Sequence, residues 1–83
     1  MATVGYTPAA AEGLVGLRNP ILARVLAVVE RLRKWPDVSG AKPLRGKLAG
    51  CWRIRTGAYR VVFRVIGDYV EIVAIDNRRD VYG

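Results

Sequence analysis

The sequence predicts an α+β fold in the order β-α-α-β-β-β: an N-terminal strand, a helical hairpin, then a three-stranded antiparallel meander with the helices packed on one sheet face. Three alternating runs, rich in β-branched and aromatic residues, occupy residues 51–75 and are separated by Gly57-Ala58 and Gly67-Asp68. Apolar residues recur at steps of three and four between residues 20 and 34, which is typical of an amphipathic helix. With 83 residues in all, we predict a single domain spanning residues 1–83.

The N-terminal part of the chain predicts one strand and two helices. Residues 3–7 are typical of a short strand, and Thr7-Pro8 supplies an N-cap followed by proline at the first helical position. We therefore expect a short helix over residues 9–17 and, after the break at Asn19-Pro20, a longer one over residues 20–34. The first strand is expected to join the sheet beside one of the later strands.

The two turns of the meander determine which side chains meet. Each turn is two residues long with glycine first, which suits a type II′ turn because glycine adopts the positive φ required there. The resulting register predicts these opposite pairs: Thr56 and Tyr59, Arg55 and Arg60, Ile54 and Val61, Arg53 and Val62, Trp52 and Phe63, Ile66 and Tyr69, Val65 and Val70, Arg64 and Glu71, Phe63 and Ile72. Alternation then predicts a core-facing side made of Trp52, Ile54, Val61, Phe63, Val65, Val70, Ile72 and Ala74.

The other side of the meander is predicted to be strongly basic, with Arg53, Arg55, Arg60, Arg64 and Glu71. Arg64 has Glu71 opposite it, whereas Arg55 and Arg60 face each other with no acid nearby in the sequence. Like charges directly opposite on paired strands destabilise the pair. A solvated surface is the ordinary interpretation of such a face. The alternative is that an anionic ligand binds between the two arginines.

The distribution of charge favours an anionic partner. Between Val38 and Gly67 there is no acidic residue, while the net charge of the chain is +7 and its sequence pI is about 10.3. Eleven of its fourteen cationic residues are arginine, whose planar guanidinium binds phosphate oxygens through two hydrogen bonds. Nucleic acid is therefore the first predicted partner class and an acidic protein the second.

The residues that are absent exclude several kinds of chemistry. The sequence has no histidine and a single cysteine, Cys51, so an internal disulfide and a thiolate-rich metal site are excluded. No cofactor or metal is predicted, and any catalysis must use arginine, lysine, tyrosine or carboxylates. The N-terminus does not resemble a secretion signal and no apolar run is long enough to span a bilayer, so a cytoplasmic location without membrane contact is expected.

Four motifs, taken in order, resemble the RelE/ParE toxin superfamily of bacterial and archaeal toxin–antitoxin modules. They are Leu44-Arg45-Gly46, Cys51-Trp52-Arg53-Ile54-Arg55, Gly57-Ala58-Tyr59-Arg60-Val61-Val62-Phe63 and Arg78-Arg79-Asp80-Val81-Tyr82. The resemblance implies a toxin of a type II system. Its RelE-like members enter the ribosomal A site and cut messenger RNA without metal, by attack of a ribose 2′-hydroxyl on the adjacent phosphodiester, and so inhibit translation.

Carried over position by position, the resemblance implies a catalytic set and a set that binds RNA or the ribosome. Arg55 and Arg60 would clamp the phosphate, and Arg53 would assist them or hold a neighbouring phosphate. Arg78 would protonate or stabilise the leaving oxygen, and Tyr82 would orient the 2′-hydroxyl or stack on a base. RelE-like members often have lysine at the position of Arg55; arginine stays protonated in proteins, which leaves the task of general base to Tyr82 or a ribosomal group. The implied RNA- or ribosome-binding residues are Lys42, Arg45, Lys47, Arg64 and Arg79.

The resemblance also implies a partner and leaves alternatives open. The partner is a cognate antitoxin that neutralises the basic face in a hetero-oligomer, with a DNA-binding part of its own that represses the module. The first alternative function is a ParE-like inhibitor of DNA gyrase, which shares the fold. The second is a nucleic-acid-binding module without catalytic activity, whose basic face only binds the backbone.

Overall fold

The computed structural model describes residues 1–77. Arg78, Arg79 and Tyr82, three of the predicted site residues, lie outside the described residues. In this part of the chain the elements are β1 (Thr3–Tyr6), α1 (Pro8–Val15), α2 (Ile21–Leu32), β2 (Lys42–Pro43), a short 3₁₀ turn (Gly46–Leu48), β3 (Trp52–Thr56), β4 (Tyr59–Ile66) and β5 (Tyr69–Asn77). The order strand, helix, helix and meander is the predicted α+β arrangement, to which the structure adds β2.

The start of α1 is held by Thr7, as its sequence predicts. The Thr7 hydroxyl oxygen accepts a hydrogen bond of 3.2 Å from the backbone N–H of Ala10, and Pro8 occupies the first helical turn. The same hydroxyl donates to the carbonyl of Val73 at 3.2 Å. This residue therefore caps the helix and fastens it to β5.

Within residues 1–77 the sheet has five strands in the order β1-β5-β4-β3-β2. The predicted register of β3, β4 and β5 is confirmed at all nine pairs, from Thr56 with Tyr59 to Phe63 with Ile72. The first strand joins the outer side of β5, and it runs parallel to β5. On the opposite edge, Lys42 and Pro43 pair antiparallel with Arg53 and Trp52.

Both hairpin turns have the predicted geometry. Gly57 and Gly67 each have a φ of +61°. Within the described residues no non-glycine residue has a positive φ, so Ala58 and Asp68 at the second turn position have negative values. A positive φ at the first central position alone defines type II′, whereas type I′ would need it at both.

One prediction about the core face is wrong, and a β-bulge is the reason. The ladder between β4 and β5 shifts by one residue after the Phe63–Ile72 pair, so that Val62 faces Ala74 and Val61 faces Ile75. An extra residue in one strand reverses the inward and outward alternation beyond it. Ala74, expected in the core, lies on the opposite side, and Ile75 takes its place.

The core lies between the two helices and one face of the sheet. The fully buried residues of this cluster include Val25 and Leu32 from α2 and Phe63 and Ile72 from the sheet. Trp35, which follows α2, packs edge-on against Trp52 and Phe63, with ring centroids 5.2 and 5.4 Å apart. Neither α1 nor α2 is long and apolar enough to cross a bilayer.

Replacement of Phe63 by alanine tests this account of the core. Because the ring is fully buried between helices and sheet, Phe63→Ala should lower the free energy of unfolding by about 3–5 kcal/mol. Urea denaturation of the purified chain measures the change.

Ile66→Ala is the matched control, because Ile66 lies on the same strand but is 54% exposed. We expect it to cost about 0.5 kcal/mol or less. Equal losses for the two variants would contradict the assignment of faces.

Candidate functional site

The sheet face opposite the helices carries a compact group of charged side chains, here called the basic face: Lys42, Arg53, Arg55, Arg60, Arg64, Glu71 and Asp76. The strand ladders arrange them in rows. One row runs from Lys42 through Arg53 and Val62 to Ala74, and the next runs from Arg55 through Arg60 to Asp76. Arg64 and Glu71 form a third row. The predicted cluster of Arg53, Arg55 and Arg60 on one face is thus present in the structure.

Arg60 has an acidic neighbour that comes from a distant part of the sequence. Asp76 lies opposite it on β5, with 3.5 Å between Arg60 Nη2 and Asp76 Oδ2. The bulge is the cause. Continuing the register of the Phe63–Ile72 pair without a bulge would place Ile75 opposite Arg60, and the one-residue shift brings Asp76 there instead. Arg60 therefore has an arginine on one side and a carboxylate on the other.

The Arg60 guanidinium is largely buried and incompletely bonded. Its side chain is only 13% exposed, and its Nε is a buried nitrogen with no hydrogen-bond partner among residues 1–77. The contact with Asp76 is at the long end of the range for such bonds, whose usual length is about 2.9 Å. Buried polar groups are normally satisfied, because leaving one without a partner costs free energy.

The predicted pairing of Arg64 with Glu71 is confirmed, and its contacts are shorter than the contact between Arg60 and Asp76. Both Nε and Nη2 of Arg64 lie 2.6 Å from Oε1 of Glu71. The Arg64 side chain is 53% exposed, so the pair is a surface ion pair that contributes little to stability. Its short bonds satisfy Arg64 locally.

The cations on β3 and β2 carry the positive charge that remains unneutralised. Among the described residues, Arg53, Arg55 and Lys42 have neither an ion pair nor a side-chain hydrogen bond. Arg55 and Lys42 are exposed, and Arg53 is half-buried. The electrostatic centre of the described part of the basic face therefore lies toward the β3 edge, where no described carboxylate forms an ion pair with these three cations.

The middle of the basic face is apolar. Val62 is fully buried there, although it lies opposite Arg53 and Ala74 and outside the main core cluster. Sequence reasoning gave Val62 no role of its own. The only local signal was its position between Arg60 and Arg64 in the alternating run.

The remaining predicted binding residues lie at the edge of the sheet. Arg45 and Lys47 are exposed in the connection between β2 and β3, where the N–H of Leu44 donates to the carbonyl of Cys51 at 2.9 Å. This bond holds the connection against the start of β3. The structure therefore places Arg45 and Lys47 beside the β2–β3 edge and not in the rows of the face.

Strand β5 ends at Asn77, which is the last residue that the structure describes. Asn77 lies opposite Tyr59, directly after the row formed by Arg55, Arg60 and Asp76. Within residues 1–77 no group of three or more cysteine, aspartate or glutamate side chains is arranged to hold a metal ion. The chemistry available at the described part of the site is that of guanidinium, ammonium and carboxylate groups.

One titratable group away from the basic face is perturbed. Partial burial raises the pKa of the Tyr6 phenol; the nearby Arg33 acts in the opposite sense, and Glu30 adds to the rise. Tyr6 belongs to the side of β1 that faces α2, so its perturbation does not bear on the arginine cluster.

The opposed arginines generate a prediction about stability. Arg55→Thr should raise the free energy of unfolding by about 0.5 kcal/mol at low ionic strength, because it removes a like-charge pair and places a good strand former on β3. The gain should shrink in about 1 M salt, where the repulsion is screened. Urea denaturation at the two salt concentrations measures both effects.

Arg64→Thr is the control, since it makes the same substitution and the same change in net charge on the neighbouring strand. Arg64→Thr removes an attractive ion pair, so we expect no rise in the free energy of unfolding at low salt. If both variants gain equally, the effect comes from net charge and not from the Arg55–Arg60 opposition.

Comparison with known proteins agrees with this architecture. Residues 4–82 match the family described as the ParE toxin of the type II toxin–antitoxin system parDE. The chain is 34% identical over 82 residues to Toxin RelG of Mycobacterium tuberculosis, covering 96% of this chain and 94% of that protein. A chain in the crystal structure of the toxin–antitoxin complex RelBE2 from the same organism superposes with a TM-score of 0.78 at 33% identity, covering 93% of this chain and 98% of that one.

The isolated RelE toxin of E. coli shares the fold at lower identity. Its TM-score is 0.78 at 19% identity, and the superposition covers 99% of this chain and 92% of that one. The family match extends over nearly the whole chain, and the relative of 34% identity is aligned almost end to end. The chain therefore belongs to the RelE/ParE superfamily of toxins from type II toxin–antitoxin systems.

Proposed function

We propose that this toxin is a ribosome-dependent endoribonuclease that cuts messenger RNA in the A site and thereby inhibits translation. The observation that carries the proposal is the arrangement of Arg53, Arg55 and Arg60 on one sheet face, with Arg55 directly opposite Arg60. Two guanidinium groups on directly paired residues start from Cα atoms about 5 Å apart, so both can reach one phosphate. The proposal also implies action in the cytoplasm, where ribosomes are.

The reaction needs no metal. The ribose 2′-oxygen forms a bond to phosphorus as the bond from phosphorus to the leaving 5′-oxygen breaks, which yields a 2′,3′-cyclic phosphate and a 5′-hydroxyl. Negative charge develops on the five-coordinate phosphorus centre in between. Arg55 and Arg60 are assigned to stabilise that charge, and Arg53 to hold the same phosphate or its neighbour.

Proton transfer requires groups other than these three arginines. A guanidinium remains protonated in proteins, so Arg55 stabilises charge but does not act as a base. We assign the base to Tyr82 or to a ribosomal group, and the stabilisation of the leaving oxygen to Arg78. The 5′-oxygen takes the proton that completes its hydroxyl group from water. Both Arg78 and Tyr82 come shortly after Asn77, which pairs beside the Arg55–Arg60 row.

The cations around this centre are assigned to RNA and ribosome binding. Lys42 extends the row of Arg53 to the edge strand, and exposed Arg45 and Lys47 follow in the connection to β3. Arg64 and Arg79 complete the predicted set. Exposed cations at this edge favour a path for the RNA backbone along β3 and β2, because such contacts supply affinity without reading sequence.

We further propose that a cognate antitoxin covers the basic face in a hetero-oligomer and contributes a DNA-binding part that represses the module. The similar chain of 33% identity comes from the toxin–antitoxin complex RelBE2. Arg53, Arg55 and Lys42, which have no ion pair among the described residues, suit an acidic or amphipathic segment.

Cleavage on programmed ribosomes tests the catalytic proposal. The parent should cut within the A-site codon, and an Arg53→Gln/Arg55→Gln variant should cut at least about 100-fold more slowly, since it loses charge stabilisation at the phosphate. Primer extension maps the ends of the messenger. The Arg60→Ala/Tyr82→Phe variant tests the other two assigned positions in the same assay.

An Arg18→Gln/Lys34→Gln variant is the matched control, because it removes the same charge from exposed positions in the helical part. It should cleave within about threefold of the parent if only local charge matters. Intact messenger with a folded parent would reject the ribonuclease proposal. DNA supercoiling by gyrase would then be the next assay, since the matching family carries the name of the ParE toxin.

The antitoxin proposal has its own test. Association of the toxin with the antitoxin encoded beside it should weaken by about tenfold or more between 0.1 and 0.5 M salt, roughly, because the contact is between opposite charges. Surface plasmon resonance measures this. The Arg53→Gln/Arg55→Gln variant should associate more slowly than Arg18→Gln/Lys34→Gln; identical association rates would place the contact elsewhere.

A further inference from the structure

We propose that Asp76 is a displaceable internal ligand of Arg60, which holds the guanidinium inward until an RNA phosphodiester takes it over. The inference rests on the proposed function, because it assigns a positioning role at the same site. It goes beyond that function in naming a carboxylate that opposes substrate binding. Three observations carry it: the length of the Arg60–Asp76 contact, the burial of Arg60, and a buried Arg60 nitrogen that has no partner within the described part of the chain.

The contact is a weak tether. Arg60 Nη2 and Asp76 Oδ2 are 3.5 Å apart, whereas two nitrogens of Arg64 lie 2.6 Å from Glu71 on the same pair of strands. A charge-assisted hydrogen bond is normally about 2.7–2.9 Å long. Asp76 therefore neutralises Arg60 without binding it tightly, and a better placed anion can replace it.

The inward position of Arg60 has a cost that ligand binding can relieve. With its side chain 13% exposed, Arg60 leaves Nε buried without an acceptor from any described residue. A guanidinium that turns toward an anion on the face can satisfy this nitrogen as well as its terminal ones. The unsatisfied donor thus favours exchange of the Asp76 carboxylate for a phosphate that offers several oxygens.

The exchange also depends on Arg55. Asp76 and Arg55 flank Arg60 on opposite sides in one row of the ladder. The carboxylate offsets part of the repulsion between the two arginines. A phosphate bound between the two arginines also offsets their repulsion, and it contacts Arg60 on the side away from Asp76. The phosphate and the Asp76 carboxylate therefore compete for the Arg60 guanidinium. Asp76 accordingly lowers the affinity of the face for anions, and it disfavours polyanions that are held only loosely.

Binding of an uncleavable RNA to the isolated toxin tests the competition. A fluorescently labelled 2′-O-methyl RNA octamer lacks the attacking hydroxyl, and anisotropy at low salt gives its affinity. Asp76→Asn should bind it about tenfold more tightly than the parent, and Asp76→Glu should stay within about twofold, because it keeps the competing charge. Glu30→Gln removes the same charge from an exposed helical pair with Arg33 and should also stay within about twofold.

A double-mutant cycle separates competition for Arg60 from a general change of charge. In the Arg60→Gln background, Asp76→Asn should change the affinity by no more than about twofold, since the cation for which the carboxylate competes is gone. An equal gain in that background, or with Glu30→Gln, overturns the proposal. So does an Asp76→Asn variant that binds no more tightly than the parent, including the case in which neither binds measurably.

A second readout needs no RNA. The Nε–H of Arg60 gives its own NMR signal, and in the parent its burial should slow exchange with water relative to the exposed Arg55. Asp76→Asn should speed that exchange by about tenfold as the side chain turns outward, and titration with inorganic phosphate should shift the signal. Unchanged exchange in a folded variant overturns the proposal.

These measurements are independent of ribosomal cleavage. If messenger RNA stays intact on the ribosome while the cycle behaves as expected, the ribonuclease proposal fails and the role of Asp76 stands. If cleavage occurs and the cycle shows no coupling, only the role of Asp76 is rejected.

Discussion

The pairing of β4 with both of its neighbours is the constraint on which the rest of this structure depends. Successive β4 side chains point to opposite faces, so one strand supplies Val61 and Phe63 to the core and Arg60 and Arg64 to the other side. The glycine-first turns at Gly57 and Gly67 hold the register on each side of the strand. A slip of one residue would bury arginine under the helices, which the free energy of burying a charge forbids. Core packing and the arginine cluster are therefore two consequences of one register.

The bulge between β4 and β5 modifies this arrangement where it matters for the site. Beyond the Phe63–Ile72 pair the extra residue brings Ile75 into the core and Asp76 beside Arg60. Bulges commonly redirect a side chain next to a functional site. Here one local irregularity completes the apolar core under α1 and sets the charge balance of the opposite face.

Charge on the basic face is graded across the strands. Glu71 and Asp76 on β5 offset the two β4 arginines, and the cations of β3 and β2 have no such partners among residues 1–77. A small domain has little stability to spare, and an opposed pair such as Arg55 and Arg60 lowers it. Under the proposed function, this cost accompanies the binding of an anion. Under the proposed function, the same imbalance suits the RNA backbone and, in the complex with the antitoxin, an acidic antitoxin segment.

Local sequence determined much of this protein by itself. The alternation of residues 51–75, the two short turns and the Thr7-Pro8 cap were sufficient to predict the meander, its register to Ile72, the core face up to that point and the shared face of Arg53, Arg55 and Arg60. These features depend on periodicity and on contacts across tight turns, which are encoded by residues close together in the chain. The motifs also identified the superfamily.

Tertiary structure alone decided the features that join distant segments. The parallel pairing of β1 with β5, the edge strand at Lys42 and the ion pair between Arg60 and Asp76 all depend on non-local packing. The alternating pattern cannot reveal a bulge, because the residues of the strand are of the same kinds with or without it. The bulge nevertheless exchanges the inward and outward faces for every residue beyond it. For that reason Ala74 was assigned to the wrong face and the partner of Arg60 could not be predicted.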